Sequence, residues 1–294
     1  MRILVSGGTG FIGQALCPKL TGDGHDVVVW SRQSDPEVAP GVRAIQELDD
    51  LTGPSPDAII NLAGASIADG RWTEARKRLL VDSRVDTTRK LVEWMQGMES
   101  PPKALISASA VGYYGEQGDR IITEDTSPTA GFTHDLCAQW ENEALKAESL
   151  GVRVCLVRTG VVLDRDGGAL AKMLFPFKIG AGGRLGSGRH YFPWIHRADI
   201  VAIYHWLVAN EHASGPYNAS APNPVTNAEF TQALGRALKR PTLLPMPEPV
   251  LRLLFGEMSE LLLVSNRMMP KRLLDEGFEF RYPELKHALD AILG

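Results

Sequence analysis

The 294-residue chain predicts an α/β fold: a doubly wound parallel sheet with helices on both faces, followed by a smaller, mostly helical C-terminal lobe. Two observations carry this. Short β-branched runs alternate with longer helical patterns through the first 165 or so residues, and a glycine-rich turn joins the first run to the first helix. Strands that alternate with helices pack as a parallel sheet covered on both sides, and strands buried on both faces read as unbroken apolar runs.

The elements follow in order. "RILVSG" is a strand, and "FIGQALCPKLTGDG" a helix that stops at a glycine. "DVVVW" and "DAIINLAG" are strands, and "WTEARKRLLVDSRVDTTRKLVEWMQGM" is a long, charged, periodic helix. "KALISAS" and "RVCLVRTG" are strands that flank the helix "THDLCAQWENEALKAESLG", again ended by glycine. Beyond residue 165 the rhythm changes. "FPFKIGAGGRLGSGRHYFPW" mixes bulky apolar anchors with glycine turns and spaces Lys178, Arg184 and Arg189 through them. It reads as a loop region over a cleft. "IHRADIVAIYHWLVAN" reads as a helix, "GPYNAS" as a strand, and "TNAEFTQALGRAL" as a helix capped by Thr226 or Asn227. The proline cluster "LLPMPEP" then precedes terminal helices and turns. The expected units are a cofactor domain, 1–165, and a substrate-side lobe, 166–294, interleaved with the core and including the helical segment 245–294.

A hydrophobic fraction of 44 % with 22 % charged residues fits a globular protein with a sizeable core, and the net charge of -4 gives no basis for nucleic acid or anionic membrane as partner. The chain starts directly on "MRILVSGG" without an export signal, and no apolar stretch reaches the ~18 residues of a membrane span. "LRLLFGEMSELLLV" is interrupted by Arg252, Glu257 and Glu260 and reads as an amphipathic helix. Cys17, Cys137 and Cys155 match no metal or CxxC spacing, so buried thiols in a reducing, cytoplasmic setting are expected, with no metal.

The turn "VSGGTGFIG" places Gly7, Gly10 and Gly13 at the spacing of a Rossmann-type dinucleotide site. The first glycine permits the turn, the second lets backbone approach a pyrophosphate, and the third lets helix pack on strand. The phosphates would rest on the positive helix end. At the end of the second strand an acid favours NAD and an arginine NADP. Here Ser31 and Arg32 stand in "VVVWSRQ", which favours NADP, with Asp35 nearby as a countervailing charge.

With "GGTGFIG", "NLAG", "SASAVGYYG", "RTGVVL", "WIHRADI" and "GPYN", the chain resembles the extended short-chain dehydrogenases/reductases, the NAD(P)-dependent epimerase/dehydratase superfamily. "FTHDLCAQWE", "GGRLGSGRHYFPWIH" and "MPKRLLDEGFEFRYPEL" extend the similarity to its atypical YfcH-like subgroup of sugar-nucleotide epimerases, over essentially the full length. The resemblance implies that Gly7, Thr9, Gly10, Phe11, Ile12 and Gly13 line the pyrophosphate and that Ser31 and Arg32 take the adenosine phosphate. Leu62, Ala63 and Gly64 would pass along the cofactor, Arg84 would reach it from the next helix, and Arg158 to Val161, with Gly160, would lie near the nicotinamide. It also implies a small-molecule substrate and, by analogy, a homodimer through the two long helices beside the sheet.

The superfamily's chemistry uses a tyrosine and, four residues on along one helix, a lysine that lowers the phenol pKa and holds the nicotinamide ribose. A serine at the preceding strand end orients the substrate oxygen. Ser109 fills that place, with Ser107 as the alternate in another register. Anchored on Glu141, the helix puts Thr133 in the tyrosine slot and Cys137 in the lysine slot, and neither side chain can replace its counterpart. Tyr282–Lys286 has the spacing but lies far along the chain, with a proline after the tyrosine. The substitute proton donors are His134, one residue from the tyrosine slot, and Tyr113 of the Tyr113–Tyr114 tandem, whose blander role is packing. His190 and His196 flank the glycine-rich loop, the latter with a role inside the fold. The expected function is an NADP(H)-dependent oxidoreductase or epimerase on a small or nucleotide-linked metabolite. The rival is an NADPH-reading sensor with little catalysis.

Overall fold

The computed structural model describes residues 1–294. Five strands come first: β1 (Arg2–Ser6), β2 (Asp26–Trp30), β3 (Arg43–Ile45), β4 (Ala58–Asn61) and β5 (Ala104–Ala110). The strands Arg153–Thr159 and Gly215–Ala219 complete one seven-stranded sheet. Its order from one edge is Gly215–Ala219, Arg153–Thr159, β5, β4, β1, β2, β3, with every neighbouring pair parallel. The order reverses between β1 and β4, and the carboxyl ends of those strands open the crevice in which such sheets bind ligands.

The sheet is buried on both faces because both carry apolar residues. On one face Ile3, Val5, Val27, Val29 and Ile60 pack against Leu16 and Leu20 of helix α1 (Gly13–Gly22), and against Ile200, Ile203 and Leu207 of α5 (Arg197–Ala209). On the other, Leu4, Val28, Ile59 and Leu105 meet Leu91, Val92 and Met95 of α2 (Glu74–Gln96) and Ala144 of α3 (Phe132–Leu145). Thr73 caps α2 by accepting from the Arg76 amide, and Thr226 forms a reciprocal capping box with Glu229 at the start of α6 (Asn227–Leu238). A separate core joins Leu170, Leu174 and Phe177 of α4 (Gly168–Lys178) to Phe230 and Leu234 of α6 and to Leu289 of the terminal helix Leu285–Leu293.

Three sequence expectations change. The edge strand β3 is absent from the sequence reading because its three residues are largely exposed and carry no apolar run. The region expected as loop from Phe175 begins inside α4, where Leu170, Leu174 and Phe177 recur at helical spacing and bury one face. The amphipathic segment 251–264 is not one helix. It breaks at Gly256, whose φ of 60° ends Glu248–Phe255 and starts a tight turn before Glu260–Leu263.

No helix is long and apolar enough to cross a membrane. All three cysteines are free and buried, and burial pushes the thiols up to about 11 at Cys17 and Cys155 and about 12 at Cys137. No cluster of three or more His, Cys, Asp or Glu side chains is arranged to hold a metal ion.

Candidate functional site

The glycine turn leaves β1 with Gly7 at φ 69°, and the Gly10 amide donates to the Gly7 carbonyl at 2.9 Å. A Cβ on Gly7 would lie 2.8 Å from the Leu62 carbonyl carbon, so the turn rests directly on the backbone that leaves β4. A Cβ on Gly13 would meet Gly7 O, Gly8 Cα and Gly8 O, each at 2.5 Å, so α1 approaches the turn as closely as backbone allows. The Phe11 and Ile12 amides find no backbone acceptor, and both lie at the positive end of α1. That is a cradle for an anion. It fits a pyrophosphate, with Gly10 exposed on its rim and Thr9 beside it. The Phe11 ring itself faces protein: it packs under Gly167 and Gly168 and beneath the Arg197 guanidinium, 4.6 Å from its centroid.

At the end of β2, Ser31 donates its amide to Ile45 and is half-buried, while Arg32 is exposed and forms no ion pair. A cavity of about 390 Å³ adjoins the turn, bounded by Gly8, Gln14, Val29, Glu37 and Val38. A second, of about 380 Å³, lies in the other lobe between Arg184, Glu229 and Leu243. Leu62, Ala63 and Gly64 follow β4 with Gly64 exposed. Arg84 of α2 reaches under them and donates to Ala65 O at 2.9 Å and Leu80 O at 3.0 Å. Gly160 and Val161 are half-buried, and their amides are given to Ala219 O (3.0 Å) and Pro193 O (2.7 Å), so any approach to a cofactor there uses other atoms.

The strand end after β5 corrects one expectation. Ser109 is only 3 % exposed, and its hydroxyl donates to Glu141 Oε1 at 2.6 Å. Its oxygen is committed to a buried carboxylate on α3 and is not presented to a substrate. Ser107 is equally occupied, accepting from Asn61 Nδ2 at 3.2 Å in a chain that runs through Thr88 to Trp140. Beside Ser109, Arg158 forms a two-pronged pair with Glu141: Nε to Oε1 at 2.9 Å and Nη2 to Oε2 at 2.8 Å. Arg158 Nη1 donates to the Tyr114 hydroxyl at 3.0 Å, which donates to Asn218 Oδ1 at 2.6 Å. Burial pushes the Tyr114 phenol up to about 12, against the pull of Arg158. Tyr114 is thus a packed residue with a bonded tip.

Tyr113 is half-buried. Its ring lies flat on the guanidinium of Arg158, 3.4 Å from Cζ to the ring centroid, and meets the His134 ring edge-on at 5.3 Å. His134 sits in the first turn of α3 and bonds the Tyr113 carbonyl through Nδ1 at 2.7 Å. A carbonyl only accepts, so Nδ1 carries the hydrogen and the neutral ring keeps its lone pair on Nε2. Thr133 packs against the turn as well, its Cβ 3.0 Å from where a Cβ on Gly112 would stand. α3 contains neither tyrosine nor lysine. Of the other histidines, His196 caps α5 by accepting from the Ala198 amide and stacks on Tyr282 at 3.9 Å. Lys286 is exposed and paired with Asp290, so the Tyr282–Lys286 spacing has no shared site. Burial lowers the pKa of His190, and its Nε2 is unbonded.

The Glu141–Arg158 pair is absent from the sequence reading as a unit. A signal for it existed. Glu141 follows Cys137 by four residues and precedes Ala144 on the face that is otherwise Leu136, Trp140 and Ala144, and Arg158 interrupts a strand apolar on both faces. A charge on each of two buried surfaces calls for a partner.

The family model described as "NAD dependent epimerase/dehydratase family" matches residues 3–220, and a domain of unknown function, DUF1731, matches 246–292. The mouse epimerase family protein SDR39U1 is 42 % identical over the whole of both chains. The Bacillus subtilis protein YfhF is 38 % identical over all of this chain and 98 % of its own. Among solved structures, human SDR39U1 (isoform 2), with NADPH, is 39 % identical and superposes with a TM-score of 0.92, covering 100 % of this chain and 99 % of that one. Thermus thermophilus UDP-glucose 4-epimerase, in complex with NAD, is 18 % identical with a TM-score of 0.79, covering 100 % of this chain and 98 % of that one, and shares the fold.

Proposed function

The chain belongs to the NAD dependent epimerase/dehydratase family, and from that premise we propose that it binds NADP(H) and acts as an oxidoreductase or epimerase on a small or nucleotide-linked metabolite. The glycine cradle would hold the pyrophosphate, and the human relative was solved with NADPH. Arg32, free of any ion pair, would take the adenosine phosphate, with Ser31 beside it. Arg32→Ala is expected to weaken NADPH binding about 10–100-fold while leaving NADH unchanged, measured by titration of nicotinamide fluorescence.

The observation that carries the catalytic reading is the His134–Tyr113 contact. Because Nδ1–H is held by the Tyr113 carbonyl, the ring is oriented and Nε2 is the atom left to exchange a proton. A bound nicotinamide supplies or takes hydride. In the oxidising direction the neutral His134 ring takes the substrate hydroxyl proton on Nε2; in the reducing direction the ring, first protonated at Nε2 by solvent, gives that proton to the substrate oxygen. Tyr113, spread over Arg158, forms a flat aromatic floor beside it. The glutamate–arginine pair beneath fixes that floor and does not touch substrate.

The test uses protein loaded with NADPH that carries deuterium at the transferable C4 position, incubated with a mixture of candidate metabolites. A product one mass unit heavier is the expected outcome, and its rate falls about 10²–10⁴-fold in His134→Phe with NADPH affinity retained. An undiminished rate in His134→Phe removes this residue from the proton step. The sensor reading has its own support: α3 lacks tyrosine and lysine, and Ser109 is turned onto Glu141. Bound NADPH with no transfer, and no stereochemical scrambling of a sugar nucleotide, would favour it.

A further inference from the structure

We infer that Arg84, on α2, supplies the fixed positive charge for the nicotinamide-side ribose that a lysine on α3 would otherwise supply. The inference rests on the NADP(H) reading above. α3 offers no cation at this point: the position expected for lysine is Cys137, wholly buried, with its thiol kept neutral. The adjacent cation comes from the neighbouring helix. The Arg84 guanidinium lies between the Gly64–Ala65 backbone and the face of Trp140, 5.3 Å from that ring, close enough to Cys137 for the two to influence each other's ionisation.

Three features together set this arginine apart. First, it has no carboxylate partner, unlike the ion-paired Arg2, Arg158, Arg197 and Arg272, a lack it shares with the half-buried Arg76, Arg153 and Arg267. Burial disfavours its charge, and a guanidinium cannot shed it. A desolvated, unpaired charge is costly, and an incoming polar ligand offsets that cost. Second, two of its five N–H donors go to carbonyls, one on Leu80 and one on Ala65, which fixes the fork and leaves the rest for a ligand. Third, it lies directly beneath Gly64. A Cβ there would stand 3.0 Å from Arg84 Cζ and 3.2 Å from Nε, yet Gly64 itself is exposed. The absent side chain therefore opens a path between the guanidinium and the crevice at the end of β4. Vicinal ribose hydroxyls are a chemical match for a fork of N–H donors.

The experiment is calorimetric titration of two ligands into wild type, Arg84→Gln and Arg84→Lys. NADPH has the nicotinamide ribose; adenosine 2′,5′-bisphosphate lacks it and reports both the adenosine end and correct folding. Arg84→Gln is expected to weaken NADPH about 10–100-fold, with the bisphosphate within about twofold of wild type and Arg84→Lys recovering most of the loss. Equal weakening of both ligands would assign Arg84 a structural role and overturn the inference, as would unchanged NADPH affinity in Arg84→Gln. Wild-type protein that binds neither ligand would instead overturn the NADP(H) reading itself.

Discussion

Arg158→Met is expected to destabilise the protein by about 3–5 kcal/mol, the cost of leaving a buried carboxylate without its partner. The melting temperature should fall by on the order of 10 °C. Glu141 is 4 % exposed and would retain only the Ser109 hydroxyl, while the Tyr114 hydroxyl and the Glu124 carbonyl would lose a donor and Tyr113 its support. The pair itself need not add net stability, because its formation also desolvates two charges. Hence the companion measurement: Glu141→Leu combined with Arg158→Met should melt above Arg158→Met alone. If the single variant melts with wild type, the pair is not buried as described. Ser109→Ala should be far milder, since it removes one of several donors to Glu141 and empties little space.

Gly13→Val should abolish measurable NADPH binding, with a loss of at least ~100-fold. A valine Cβ would fall 2.5 Å from backbone atoms of Gly7 and Gly8, which have no soft side chain to yield. α1 must then move off the turn, at about 1–3 kcal/mol of strain, and the amides of Phe11 and Ile12 no longer converge on one anion. Circular dichroism and a thermal melt separate this from general unfolding. A folded Gly13→Val that binds NADPH as wild type does would show that the cradle is not where phosphate sits.

The glycine turn was legible in the sequence because its meaning depends on local spacing and on the strand and helix that bracket it. The strand–helix alternation was legible for the same reason. Ser109 was not. Alternation along β5 places Ser107 and Ser109 on one face, but which face opens to a crevice depends on α3, and the acid that captures Ser109 is 32 residues on. β3 escaped because an edge strand of three mostly exposed residues needs no apolar pattern. The buried function of Tyr114 was readable as chemistry but not as partners, since Asn218 and Arg158 come from strands 104 and 44 residues away.

The strand Gly215–Ala219 pairs with Cys155 to Thr159 of the strand Arg153–Thr159, yet it is synthesised about 56 residues later. At a translation rate of roughly 5–20 residues per second, that interval is about 3–11 s. During it the nascent chain carries a naked β-edge, with Tyr114 and Arg158 still waiting for Asn218. The order of birth therefore leaves this edge open to other chains until residues 215–219 arrive. Chains interrupted before residue 215 should aggregate rather than persist as a half-size cofactor-binding unit.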